Sequence, residues 1–134
     1  MFTKPNKIIA LGGIFIALAI ILGAFAAHAL KNKFMATDQQ LAIFKTGVEY
    51  QLYHGFALIF LGIISRVFII NFKYVAILFV CGIICFSWSL FGLSLAGIFK
   101  INATFLGPIT PIGGGFFIIG WGLFICSIIN KKNA

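Results

Sequence analysis

The chain has 134 residues, of which 62% are hydrophobic and 9% charged, against roughly 25% charged in soluble proteins. A soluble domain of this size could not hide so much apolar surface, so its solvent is expected to be lipid. Ten Lys+Arg against two Asp+Glu give +8. The basic residues stand singly or in pairs between apolar runs, with no basic block, which excludes nucleic acid and fits positive flanks facing anionic headgroups.

Met1–Lys7 is a short polar start, followed by an apolar run over 8–30 whose one ionisable residue is His28. A basic start, an apolar stretch and Ala24-Phe25-Ala26 resemble a signal peptide with a cleavage site. The run is long enough to span, however, and a retained first helix is expected. Ala19, Gly23 and Ala27 recur every fourth residue, a stripe suited to close helix packing. Lys31–Gln40 is the polar connector. Thr37 and Gln40 have the spacing of a capping box, which starts the second helix near Asp38. From there to Arg66 is too long for one straight span, so Asp38–Lys45 is expected at the interface as an amphipathic turn or two.

The second span is expected over 47–65, with Gly47, Gly55 and Gly62 on a packing side, and Arg66 and Lys73 bound the next connector. The third, over 74–99, carries Gly82, Cys85, Ser89, Gly92 and Ala96 at alternating spacings of three and four, the period of left-handed helix packing. Thr110-Pro111 reads as an N-cap followed by proline at the first helical position, opening the fourth span over 111–130. Cys81, Cys85 and Cys126 all fall inside apolar runs, an odd number without a Cys-x-x-Cys pair, and are expected to be packing residues rather than disulfides or soft-metal ligands.

The expected architecture is therefore all-α: a single integral-membrane four-helix bundle with both termini on one side. That side carries six positives, Lys4, Lys7, Arg66, Lys73, Lys131 and Lys132, against four on the other, Lys31, Lys33, Lys45 and Lys100. The positive-inside rule then makes the termini cytoplasmic.

The stretch Thr46–His54 holds Glu49, one of the two acidic residues, and His54, one of the two histidines. A carboxylate and an imidazole at the mouth of a membrane helix are costly unless partnered, which marks a functional site. With the span starting at Gly47, His54 lies roughly 10 Å below that start. The topology brings His28, Glu49, Tyr50, Gln51, His54, Thr110 and Pro111 to one membrane face as a candidate binding cluster.

The bland alternative is that Glu49 pairs with Lys45, the tyrosines form an interfacial belt and the histidines glue helices together. Haem or metal is disfavoured: the two histidines sit at unequal depths, and Glu49 points about 140° away from His54 around the helix. No cofactor is expected. No hydrolase or nucleotide-binding motif is present, and no half of the chain repeats the other as in inverted-repeat transporters.

Several segments together resemble the YgdD/YwdK-like small inner-membrane proteins. They are Gly23-Ala24-Phe25-Ala26-Ala27-His28-Ala29-Leu30, Thr46–His54, Phe86-Ser87-Trp88-Ser89-Leu90, Thr110–Gly115 and Gly120-Trp121. They fall in order through all four spans. The chain departs from the family pattern at Ala26, where that pattern has a second glycine, and at Trp88 and Phe91, where it has glycine and tyrosine. The resemblance implies a four-span bacterial membrane protein of uncharacterised function and supports the same seven candidate residues. Two functions are open: a lipid- or amphiphile-binding or accessory protein, with membrane lipids, a second copy or another membrane protein as partners, or a small membrane enzyme or proton-coupled carrier using Glu49 and His54.

Overall fold

Pro5 opens helix α1 (Pro5–Lys33), its fixed φ and missing N–H both suited to a first turn. The computed structural model describes residues 2 and 4–132; Met1, Thr3, Asn133 and Ala134 lie outside it, as do the side chains of Lys131 and Lys132 that entered the charge count. From Ala26 to Lys33 the helix widens into π-helical turns. Those turns rotate Ala27 off the packing stripe predicted for it. Ala27 is exposed, and the stripe that α1 buries runs instead through Ile8, Gly12, Phe15, Ala19 and Ala26.

Met35, at φ 51°, turns the chain, and the capping box starts helix α2 (Asp38–Phe68) where the sequence placed it. The Gln40 amide donates to the Thr37 hydroxyl at 3.2 Å, and the Thr37 amide donates back to Gln40 Oε1 at 2.9 Å. Asp38–Lys45 is not a separate piece; it forms the first two turns of this one continuous helix. Ile69, at φ 54°, ends α2, and the Asn71 side chain accepts from the Lys73 amide at 3.0 Å as helix α3 (Lys73–Phe99) begins.

Helix α3 is α-helical except at Ile83–Trp88, a second π-helical stretch. After Lys100, at φ 55°, and a single 3-10 turn at Thr104–Leu106, helix α4 (Ile109–Lys132) closes the fold. It starts before the predicted Thr110 cap. Thr110 and Pro111 lie inside the first turn, where a helix has no use for the N–H that proline lacks. The described residues contain no strand.

Helix α1 packs on α2, α4 packs on α3, and α2 meets α3 between them. The α1–α2 contact is backbone-close: a β-carbon placed on Gly12 would lie 2.6 Å from the Gly55 carbonyl oxygen. On the other side Gly113 of α4 lies against the backbone of Phe86. Two apolar clusters result. One, toward the N-terminal end of α1, joins Ile8, Phe15, Leu58, Leu61, Phe79 and Phe117 with their neighbours. The other, at the opposite end, joins Ala26, Leu30, Leu41, Phe44 and Phe91. The polar residues of α2 lie between them.

Candidate functional site: a polar layer and an aromatic groove at mid-span

Helix α2 turns Gln51 and His54 inward, at 0% and 5% exposure. Gln51 Nε2 donates to the Phe15 carbonyl of α1 at 3.1 Å, and Gln51 Oε1 accepts from Trp88 Nε1 of α3 at 3.2 Å. One carboxamide thus joins three helices.

His54 is held as tightly. The indole Nε1–H of Trp121 donates to His54 Nε2 at 3.3 Å, and His54 Nδ1 lies 2.9 Å from the Tyr50 carbonyl. An indole nitrogen can only donate, so Nε2 is the bare nitrogen and Nδ1 carries the hydrogen. The geometry therefore selects one neutral tautomer with both nitrogens used. Phe117 stacks on the imidazole at 3.5 Å between centroids and 11° between planes, while Phe79 meets it edge-on at 5.2 Å.

The layer is deeper than the sequence spacing predicted. The 31 residues of α2 span about 46 Å, and His54 lies about 24 Å from its start rather than 10 Å. The difference arises because the polar turns at Asp38–Lys45 belong to the same helix. With a hydrocarbon thickness of about 30 Å, His54 is near the middle of the span.

Helices α2 and α4 meet here through side chains, and they leave a groove of about 600 Å³. Tyr50 and His54 from α2, Phe86 from α3, and Phe117, Trp121 and Gly122 from α4 line it. Ile118 at its lip is 75% exposed, so the groove opens toward lipid. The rings of Tyr50 and Phe86 lie 4.5 Å apart between centroids, tilted by 37°. Trp121 also borders a separate cavity of about 240 Å³, lined by Ala57, Phe60 and Leu61 of α2 and by Phe124 of α4.

The seven sequence candidates separate. Tyr50, Gln51 and His54 come together. Thr110 is tied to Ser89 of α3 by a 2.7 Å hydroxyl–hydroxyl hydrogen bond, beside Trp88 but outside the groove lining. His28, Glu49 and Pro111 are exposed, and Glu49 makes no ion pair with Lys45 within 4 Å. The two histidines do not converge, and no group of three or more His, Cys, Asp or Glu occurs among the described residues.

Sequence reading passed over Trp88 and Trp121 as hydrogen-bond donors. The available signal was an indole N–H inside each of two apolar spans, which needs an acceptor that only a polar residue of another helix can offer. Trp88, which stands where the family pattern has glycine, is half exposed and donates its indole N–H to Gln51. The close backbone approach occurs nearby, at Phe86 and Gly113.

Residues 22–114 match the family described as protein of unknown function (DUF423). A UPF0382 membrane protein of Staphylococcus aureus is 44% identical over 87% of this chain and 90% of its own length. Those of Staphylococcus saprophyticus and Staphylococcus haemolyticus are 41% and 40% identical over 87% and 89% of this chain, and 92% of each relative. The chain belongs to the DUF423 (UPF0382) family of bacterial membrane proteins. No solved structure matches it. The family match takes in the last part of α1, all of α2 and α3 and the start of α4, and so contains Tyr50, Gln51, His54, Phe86 and Trp88. Trp121 and Phe117 lie beyond it.

Proposed function

We propose that this DUF423 protein is a membrane-embedded binding protein for a lipid or other amphiphile, which it takes into the groove between α2 and α4. The observation that carries the reading is the groove itself: an aromatic-lined, lipid-open recess at mid-span, within the size range of small-molecule sites. The motif likeness supports grouping it with the YgdD/YwdK-like proteins. The charge balance supports the bacterial cytoplasmic membrane with both termini inside. Membrane lipid is the default partner; self-association or a second membrane protein has the exposed faces of α1 and α4 available.

The enzyme or carrier reading draws no support from the geometry, because Glu49 is exposed on one side of α2 and His54 is buried on another. Native mass spectrometry after gentle extraction tests the binding reading. A defined adduct retained by the wild type and absent from Gly122→Leu is expected. An apo mass for both proteins would remove the ligand.

A further inference from the structure

The nature of the occupant can be read from the groove, an inference that rests on the binding reading above. Tyr50 lines the groove, and its hydroxyl has no hydrogen-bond partner among the described residues. It lies within about 5 Å of the midpoint of α2. Its ring is exposed and it follows the exposed Glu49 on the helix, and an unpartnered polar group that faces hydrocarbon is costly. An occupant that carries an oxygen at the level of Tyr50 would supply the missing partner.

The walls narrow the choice. Tyr50, Phe86, Phe117 and Trp121 offer ring faces and edges, the surroundings in which flat rings pack best. The bare backbone at Gly122 keeps the groove open: a β-carbon added there meets nothing within 4 Å. Trp121 borders both this groove and the separate 240 Å³ cavity, whose lining is apolar apart from the indole N–H. That second space accommodates a hydrocarbon tail continuing along α2.

We propose that the groove binds a flat ring bearing carbonyl or phenolic oxygens and a hydrocarbon tail, the isoprenoid quinone class, with a ring oxygen accepting from the Tyr50 hydroxyl. The ring packs between Tyr50, Phe86 and Trp121, and the tail follows the α2–α4 seam past Trp121.

The test uses the full chain in phospholipid nanodiscs and a benzoquinone carrying a ten-carbon chain, read by quenching of the two tryptophans, Trp88 and Trp121. Saturable quenching at about one quinone per protein is expected. Gly122→Leu adds bulk to the groove at a position where a β-carbon meets nothing within 4 Å and weakens binding about tenfold or more, the scale at which a pocket rejects added bulk. Gly115→Leu is equally unobstructed but off the groove, and leaves binding unchanged. Tyr50→Phe keeps the ring, loses the hydroxyl and weakens binding about fivefold.

Quenching that rises without saturating, or that Gly122→Leu leaves intact, overturns the quinone assignment. If saturable quenching is missing but a phospholipid is retained by the wild type and lost from Gly122→Leu, the quinone assignment falls and the broader binding reading stands. If neither molecule is held, both fall.

Discussion

A carboxamide in hydrocarbon is tolerable only when its donor and acceptor ends are both engaged, and Gln51 engages them on two different helices. Ser87, one turn of α3 away from Phe91 and adjacent to Trp88, is also wholly buried, yet its hydroxyl has no partner. Two polar-to-apolar changes in this layer should therefore have opposite signs. Gln51→Leu loses both interhelical bonds and should lower stability by about 1–2 kcal/mol. Ser87→Ala removes an unsatisfied hydroxyl, whose burial costs about 1–3 kcal/mol, and should leave stability equal or higher. Unfolding in mixed micelles with increasing SDS measures both, and a destabilised Ser87→Ala would contradict the unpartnered assignment. These residues also show how legible the site was. Gln51 and His54 stand out in an apolar run because polarity is visible residue by residue. Trp88 and Trp121 do not, because an indole is as much at home in a core as in a hydrogen bond. The gathering of groove walls from three helices depends on which turns of α3 and α4 face α2, which a one-dimensional pattern does not encode.

At the scale of elements, helix number and order followed directly from hydropathy, since only helices of about 20 apolar residues can satisfy their own backbone in lipid. The capping box was readable for the same local reason: both of its hydrogen bonds lie within four residues. The π-helical turns at Ala26–Lys33 and Ile83–Trp88 were not readable, because they change which side chains face inward without changing composition. Such turns are rare and recur at functional sites; the second one delivers Phe86 to the groove and Trp88 to Gln51. Between α1 and α2 the decisive quantity is backbone distance, because lipid gives no hydrophobic drive to hold spans together and close packing must do so. Gly12 and its neighbour Gly13 separate packing from propensity. At Gly12 an added methyl meets the Gly55 carbonyl at 2.6 Å and the Ile59 amide nitrogen at 3.0 Å, backbone atoms that cannot swing aside, whereas at Gly13 it meets nothing within 4 Å. Gly12→Ala should push α1 away and destabilise the bundle. Gly13→Ala should stabilise it by up to about 1 kcal/mol through helix propensity alone. Equal effects in the same SDS titration would mean that the α1–α2 contact is looser than the structure shows.

For the whole molecule, an even number of spans fixes the relative sides of the loops but leaves the absolute direction to charge. The loop between α2 and α3 shares its side with the N-terminal start of α1, while the α1–α2 and α3–α4 connections share the other. The six-to-four division of Lys and Arg favours the first side as cytoplasmic. Cysteine labelling in intact cells decides it. Gln39→Cys and Ile101→Cys are exposed at the α1–α2 and α3–α4 ends, and should react with a membrane-impermeant maleimide added outside. Asn71→Cys, exposed at the opposite end, should react only after permeabilisation. The reverse pattern would show that a difference of two charges does not govern this bundle. The direction also bears on the groove, whose Tyr50 end lies toward the start of α2, while the separate cavity lies toward the end of that helix. With the termini inside, a bound ring would sit in the outer half of the hydrocarbon layer with its tail directed toward the cytoplasmic leaflet. With the termini outside, both would be inverted, and the ring would lie on the side reached by cytoplasmic partners.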